Sequence, residues 1–250
     1  MSIPLNMKLD ILAFGVHPDD VELGCAGTLL AEHAKGKKIG VVDLTQGELG
    51  TRGTADTRKQ EAKAAADRMK IDVRDNLQMA DGFFQHDEAH LRKVITIIRK
   101  YQPDIVLCNA PEDRHPDHGR SAKLVADAAF LSGLRKIETS LDGLQQTEWR
   151  PKNVFHYLQD RYLKPDFVYD ISEFFEEKMK AVLCYTTQFH NTGNQTDEPQ
   201  TYISSPEFLD TVKARALSLG KRIGVKYAEG YISNKTIGIS GFDGLIMQTT

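Results

Sequence analysis

Two short segments repeat one spacing of metal-binding residue types. His17-Pro18-Asp19-Asp20 and His115-Pro116-Asp117-His118 each carry possible ligands at their first and fourth positions. On a helix-start turn, positions i and i+3 share a face. His17 and Asp20 can therefore meet one ion while Asp19 projects elsewhere, and Pro18 stiffens the turn by fixing its own φ. A histidine of the second segment completes the set. With His118 as that third ligand, His17, Asp20 and His118 leave a coordination position open for water, as a hydrolytic metal centre requires. Two imidazoles and one carboxylate suit Zn²⁺, at ligand distances of roughly 2.0–2.2 Å. Such an ion lowers the pKa of bound water towards about 7. Asp19, beside a ligand but unbound, can take that water's proton as general base. His115 can stabilise an oxyanion or protonate a leaving amine, and the Asp117 carboxylate can hold the tautomer of that imidazole.

Blander readings exist for each residue. Asp20 and Glu22 also favour a helix N-terminus by charge, which explains two acids and leaves His17 unexplained. His33, His86, His90, His156 and His190 are read as surface groups or ordinary hydrogen-bonding histidines. Gly24 and Gly27 belong to no Gly-x-Gly-x-x-Gly string, so dinucleotide binding is not expected. Two other functions remain open from the residues alone. Two histidines and a carboxylate also describe the facial triad of non-haem iron oxygenases, which an alternation of strands and helices does not favour. A non-catalytic sugar- or metal-binding module on the same fold has no use for the spare carboxylate of Asp19.

The elements that carry the motifs set their placement. Residues 9–14 and 104–109 are short apolar runs that read as buried strands, and each delivers a motif at its end. Residues 21–35 have helical spacing closed by Gly36, 38–44 read as a strand, and the Gly-rich stretch 45–54 as a loop over the sheet's end. A helix over 56–69 is rich in Ala, Lys, Glu and Arg. A short strand near 76–79, an amphipathic helix over 88–101 and a helix over 119–131 follow. The alternation predicts an α/β fold, a mostly parallel sheet with helices on both faces. Ligands in such sheets bind beyond the carboxyl ends of the strands. After about residue 135 the pattern loosens into irregular C-terminal additions: strands over 153–158 and 167–170, a helix capped by Ser172 running to about 185, a loop over 191–205, a helix over 206–220, and a Gly-punctuated tail. No repeat or linker divides the 250 residues, so one domain is expected, with a core over about 8–135 and elements over about 136–250 that complete the site and can supply an oligomer interface.

Bulk properties narrow the class. Hydrophobic residues are 40% and charged residues 27%, with a net charge of −3 and no dense basic block, so no polyanionic partner and no nucleic acid is expected. The Lys35-Gly36-Lys37-Lys38 cluster reads as a solvated face. No apolar run is long enough to span a bilayer, and the first residues lack a charged segment followed by an apolar core. Cys25, Cys108 and Cys184 are few, widely spaced and in apolar contexts, which predicts reduced thiols and a cytoplasmic location.

The strings HPDDVELGCAGTL, EDRHPDHGRSAKL and VKYAEGYIS give the chain its likeness. It resembles the PIG-L (LmbE-like) family of zinc-dependent N-acetylglucosamine deacetylases over residues 8–235, and in particular the branch acting on N-acetylglucosaminyl malate in bacillithiol biosynthesis. The resemblance implies a Rossmann-like fold and one zinc per subunit, held by His17, Asp20 and His118. It implies Asp19 as general base, His115 assisting charge on the tetrahedral intermediate and Asp117 behind it. Arg58 matches an arginine that contacts substrate, and Arg150 falls where another family arginine approaches the site. Arg52 and Arg114 can grip an anionic aglycone such as malate, since guanidinium binds carboxylate through paired hydrogen bonds. Some relatives use a tyrosine for the oxyanion near the position where this chain has Ser205-Pro206-Glu207-Phe208, with Tyr202 close by. Trimers or hexamers are common among the relatives.

Overall fold

A computed structural model describes residues 7–189 and 198–246. The stretch 1–6 read for a secretion signal, His190, residues 191–197 of the predicted loop and residues 247–250 of the tail lie outside the described residues. In chain order the elements are β1 (Ile11–Gly15), α1 (Asp20–Ala34), β2 (Ile39–Thr45), α2 (Ala55–Met69), β3 (Val73–Met79), α3 (Glu88–Tyr101), β4 (Ile105–Asn109), α4 (Pro116–Leu131), a small hairpin of β5 (Ser140–Leu141) and β6 (Leu144–Gln145), β7 (Asn153–Tyr157), β8 (Phe167–Asp170), α5 (Phe175–Val182), α6 (Pro206–Lys221) and β9 (Ala228–Ser233).

The main sheet runs β3-β2-β1-β4-β7-β9-β8. From β3 to β7 every pairing is parallel, and β9 runs antiparallel to both β7 and β8. The fold is α/β with a mostly parallel sheet, as the sequence pattern predicts. Side-chain alternation in the strands feeds two cores. Leu12 and Phe14 of β1 join Val94, Ile98, Leu124 and Val125 of α3 and α4 on one face. Ile11 and Ala13 join Val21, Cys25 and Leu29 of α1 on the other. Chain order reverses between β1 and β4, which are hydrogen-bonded neighbours, so the crevice beyond their carboxyl ends is the topological switch point of the sheet.

Several elements differ from the sequence reading. β3 begins at Val73, earlier than expected, because the polar Arg74 is hidden by ion pairs to Asp43 and Glu22. α4 begins at Pro116 with His115 as its N-cap, so the second motif forms the helix start itself. α5 begins only at Phe175. Ser172 Oγ is bonded to Asp170 and is not a helix cap. The tail contains β9, masked in sequence by the buried Glu229 and by Gly230. No helix among the described residues is long and apolar enough to cross a membrane.

Candidate active site

β1 ends at Gly15, and the turn that follows places His17, Asp19 and Asp20 at the start of α1. Asp20 is buried and fixed on both oxygens. Its Oδ2 accepts the N–H groups of Val16 (2.9 Å) and His17 (3.0 Å) and the Asn109 amide from the end of β4 (3.0 Å). Its Oδ1 accepts the Gln159 amide from just beyond β7 at 2.7 Å. Burial alone raises its carboxyl, but His118 and His17, with the Gln159 hydrogen bond, outweigh burial and hold it well below the usual carboxylate range.

The two imidazoles expected to share an ion flank this carboxylate. His118 Nε2 lies 3.3 Å from Asp20 Oδ1, and His17 Nδ1 lies 3.8 Å from Asp20 Oδ2. The opposite nitrogen of each ring meets another carboxylate: His17 Nε2 is 2.9 Å from Asp81 Oδ1, and His118 Nδ1 is 2.8 Å from Asp113 Oδ2. With protons on those outer nitrogens, both rings turn lone pairs towards Asp20. Burial disfavours a charged His118, yet Asp20 and Asp113 overcome it and raise the ring to about 10. Negative charge on both sides of that ring favours a cation between His118 and Asp20, whether a proton or a metal ion. Two imidazoles beside one carboxylate are donor types that a divalent ion takes. Among the described residues, the groups whose donor atoms all lie within 4.8 Å of one another are His17 with His115 and His118, and His17 with Asp81 and Asp117; the expected set of His17, Asp20 and His118 is not one of them. The first makes His115 an alternative third imidazole, its ring centroid 4.7 Å from that of His17.

Asp19 faces the opposite side of the turn. It is buried and its backbone has φ 126°, a conformation that costs a non-glycine residue on the order of 1–3 kcal/mol. Such strain persists only where the surroundings impose it. Arg58, buried on α2, supplies that constraint by donating from Nη2 to the Pro18 carbonyl and to Asp19 Oδ2, the latter at 3.2 Å. Burial pushes the Asp19 carboxyl up to about 7 against the pull of Arg58. Arg58 is thus placed to orient Asp19.

The remaining expected residues divide. His115 Nδ1 accepts the backbone N–H of Asp117 at 3.3 Å, which leaves Nε2 as the protonated nitrogen. Burial, with His17 and His118 nearby, lowers its pKa and keeps the ring neutral. The Asp117 carboxylate makes no hydrogen bond to His115 among the described residues. It is taken by Arg120 (2.7 Å) and by the Gly82 N–H (2.8 Å), so the tautomer of His115 is set by a backbone amide. Arg52 is largely buried, with Nε 3.7 Å from Glu198 Oε2. Arg150 precedes β7, which is parallel to β4, and therefore sits at the end of the sheet opposite the motifs. It stacks over Phe130 and donates to the Phe130 carbonyl (2.9 Å), so within this chain it is not brought together with the two motifs. Tyr202 donates to Asp160 at 3.1 Å. Sequence reasoning missed Asp81, Asp113, Asn109 and Gln159. Asp113 stood inside the second motif's string, but nothing in the spacing marks the other three.

The chain matches the PIG-L family, described as GlcNAc-PI de-N-acetylase, over residues 12–129. It is 29% identical to diacetylchitobiose deacetylase of Thermococcus kodakarensis over 239 residues, covering 91% of this chain and 84% of that protein. Among solved structures it superposes on the conserved protein TT1542 of Thermus thermophilus with a TM-score of 0.82 and 32% identity, covering 92% of this chain and 97% of that one. The 4-carboxy-2-hydroxymuconate hydratase GalB of Pseudomonas putida shares the fold at TM-score 0.74 and 20% identity, over 94% and 99% of the two chains.

Proposed function

Because the chain belongs to the PIG-L family, we propose that it is a hydrolase removing the acetyl group from an N-acetylglucosamine derivative. The observation that carries this reading is Asp19, a strained, buried carboxylate oriented by Arg58 immediately beside Asp20. A binding module has no need to maintain that conformation. Zinc is the ion the donor set suits, one per subunit on His17, Asp20 and His118. Bound there, a divalent cation supplies Lewis acidity to the amide carbonyl and acidifies water.

The protein's own groups do the rest. Asp19 accepts the proton of the attacking water as its oxygen bonds to the carbonyl carbon. Arg58 holds Asp19 in place without removing its basicity, since the carboxyl sits near neutrality. The Nε2–H of neutral His115 donates to the oxygen that gains charge. As the C–N bond breaks, the proton taken by Asp19 passes to the nitrogen, and acetate and a free amine leave. The substrate we favour is N-acetylglucosaminyl malate, on the likeness of the three sequence strings quoted above.

The test is acetate release by metal-loaded protein from N-acetylglucosaminyl malate, diacetylchitobiose and free N-acetylglucosamine, each repeated after chelation. Release that follows metal loading is expected. No acetate from any of the three would overturn the reading.

A further inference from the structure

Arg58 holds Asp19, yet little in its own bonding fixes how it points. Both of its hydrogen bonds, to the Pro18 carbonyl and to Asp19 Oδ2, leave from the single nitrogen Nη2. Its Nε is buried and has no hydrogen-bond partner among the described residues. A guanidinium anchored through several N–H groups is set by its fork geometry. One anchored through a single nitrogen can pivot about it, and packing has to set the angle.

Two neighbours supply that packing. A Cβ on Gly47 would stand 3.3 Å from Nη2, 3.4 Å from Cζ and 3.5 Å from Nε of Arg58, nearly equal distances that put the Gly47 backbone over the flat of the guanidinium. The Tyr185 ring centroid lies 5.8 Å from Cζ, within range of a cation–ring attraction that strengthens when both partners are out of water. Both are, since Tyr185 is fully buried and Arg58 is 4% exposed. The ring is itself anchored. Its hydroxyl donates to Glu22 Oε1 at 3.0 Å, in the first turn of α1. The residues that follow it are docked onto α2 by Glu61, whose carboxylate accepts Thr186 Oγ1 (3.0 Å), the Thr187 N–H (2.7 Å) and Thr187 Oγ1 (2.9 Å). Positions i and i+3 share a helix face, so Glu61 brings the ring to the side of α2 that carries Arg58.

We propose that Tyr185 is a positioning residue for the hydrolysis, its ring setting the angle at which Arg58 presents Nη2 to Asp19. The proposal rests on the deacetylase reading. It gives the segment after α5 a part in catalysis that no motif of the sequence marks. Tyr185 also packs with Leu23, Ala65, Val182 and Phe208. A role confined to that core would act on stability and not through Arg58.

The experiment is a double-mutant cycle on acetate release by zinc-loaded protein, combining Tyr185→Leu or Tyr185→Met with Arg58→Ala. Both Tyr185 variants remove the ring, Met fills more of its volume, and the better folded of the two is used. Loss of the ring should lower kcat about ten- to a hundredfold, as misplacing a catalytic group does, with KM within about threefold and zinc content unchanged. Tyr185→Phe keeps the ring and should recover most of that loss. In the Arg58→Ala background the same deletion should cost less than about twofold, because a residue that acts through Arg58 has nothing left to act on. An equal loss in both backgrounds, a normal kcat without the ring, or a Tyr185→Phe loss as large as that of the ringless variant overturns the proposal. A second reading needs no turnover: side-chain NMR of the Arg58 guanidinium in protein labelled with ¹⁵N-arginine. Rotation of that group should quicken in the ringless variant and stay slow in Tyr185→Phe, and unchanged Arg58 signals overturn the proposal. Wild type that releases no acetate ends the deacetylase reading, and the hold of Tyr185 on Arg58 is then decided by the NMR alone.

Discussion

Asp113→Asn changes one oxygen to an amide nitrogen and should cost the protein most of its metal affinity. The reason lies in what surrounds the carboxylate. Oδ1 accepts two backbone N–H groups, from Arg114 and Arg161, each at 2.8 Å, and Oδ2 faces His118 Nδ1 at 2.8 Å. An asparagine must keep its single oxygen against the two N–H donors, because an NH₂ group there would oppose both. Its NH₂ group then points at His118 Nδ1 and can bond only to a lone pair on that nitrogen. The imidazole proton is driven to Nε2, the nitrogen 3.3 Å from Asp20, and the lone pair that a metal needs is lost. Changes at carboxylates behind ligand histidines typically cost about 10–100-fold in metal affinity, or roughly 1.4–2.7 kcal/mol. A forced tautomer change should fall at the upper end. The assay is zinc competition with a chromogenic chelator, alongside Asp127→Asn, which alters the surface partner of His86 at 2.8 Å and should leave zinc affinity unchanged. A dissociation constant for Asp113→Asn within twofold of wild type would refute the assignment of His118 Nε2 as the metal-facing atom.

Asp19→Ala should reduce turnover by about 10²–10⁴ while zinc content stays near one per chain, read by acetate release and elemental analysis. Arg150→Ala should leave kcat and KM within about twofold of wild type, because its partners are Phe130 and the far end of the sheet. Glu229→Ala should destabilise the protein by about 3–5 kcal/mol in urea unfolding, since it strands the buried Lys178 ammonium. A loss below about 1 kcal/mol would mean that the pair is not holding the elements together.

The convergence of the two motifs was legible because spacing and strand ends carry it. His17 and Asp20 had to share a face, and two apolar runs had to bring both motifs to carboxyl ends. What spacing could not give was adjacency. That β1 and β4 are neighbours is a property of strand order, and it is what brings His17 and His118 to one carboxylate. Asp81 and Gln159 were invisible for the same reason. Each sits in an unremarkable string and acquires meaning only from the loop that carries it across the switch point. Arg150 shows the converse: its place along the chain says nothing about which end of β7 it occupies, and the structure puts it at the end away from the motifs.

The C-terminal third is bound into the catalytic helix, and this gives those irregular elements a physical role. Glu229 of β9 accepts the N–H groups of Gly27 (3.0 Å) and Thr28 (2.8 Å) in the middle of α1, and Lys178 of α5 donates to the Leu23 carbonyl (2.8 Å) and to Glu229 (2.6 Å). The approach is close enough that a Cβ on Gly24 would stand 2.1 Å from the Tyr157 ring, and one on Gly27 would stand 2.8 Å from Ile171. One turn before Leu23, the same helix presents Asp19 and Asp20. Arg58 of α2 holds that turn from one side and Gln159 from the other. Helix α1 is therefore clamped both at its catalytic end and along its shaft, by elements from either half of the chain. A strained φ at Asp19 costs free energy that a freely settling helix would relax, and this clamping gives the first turn no room to do so.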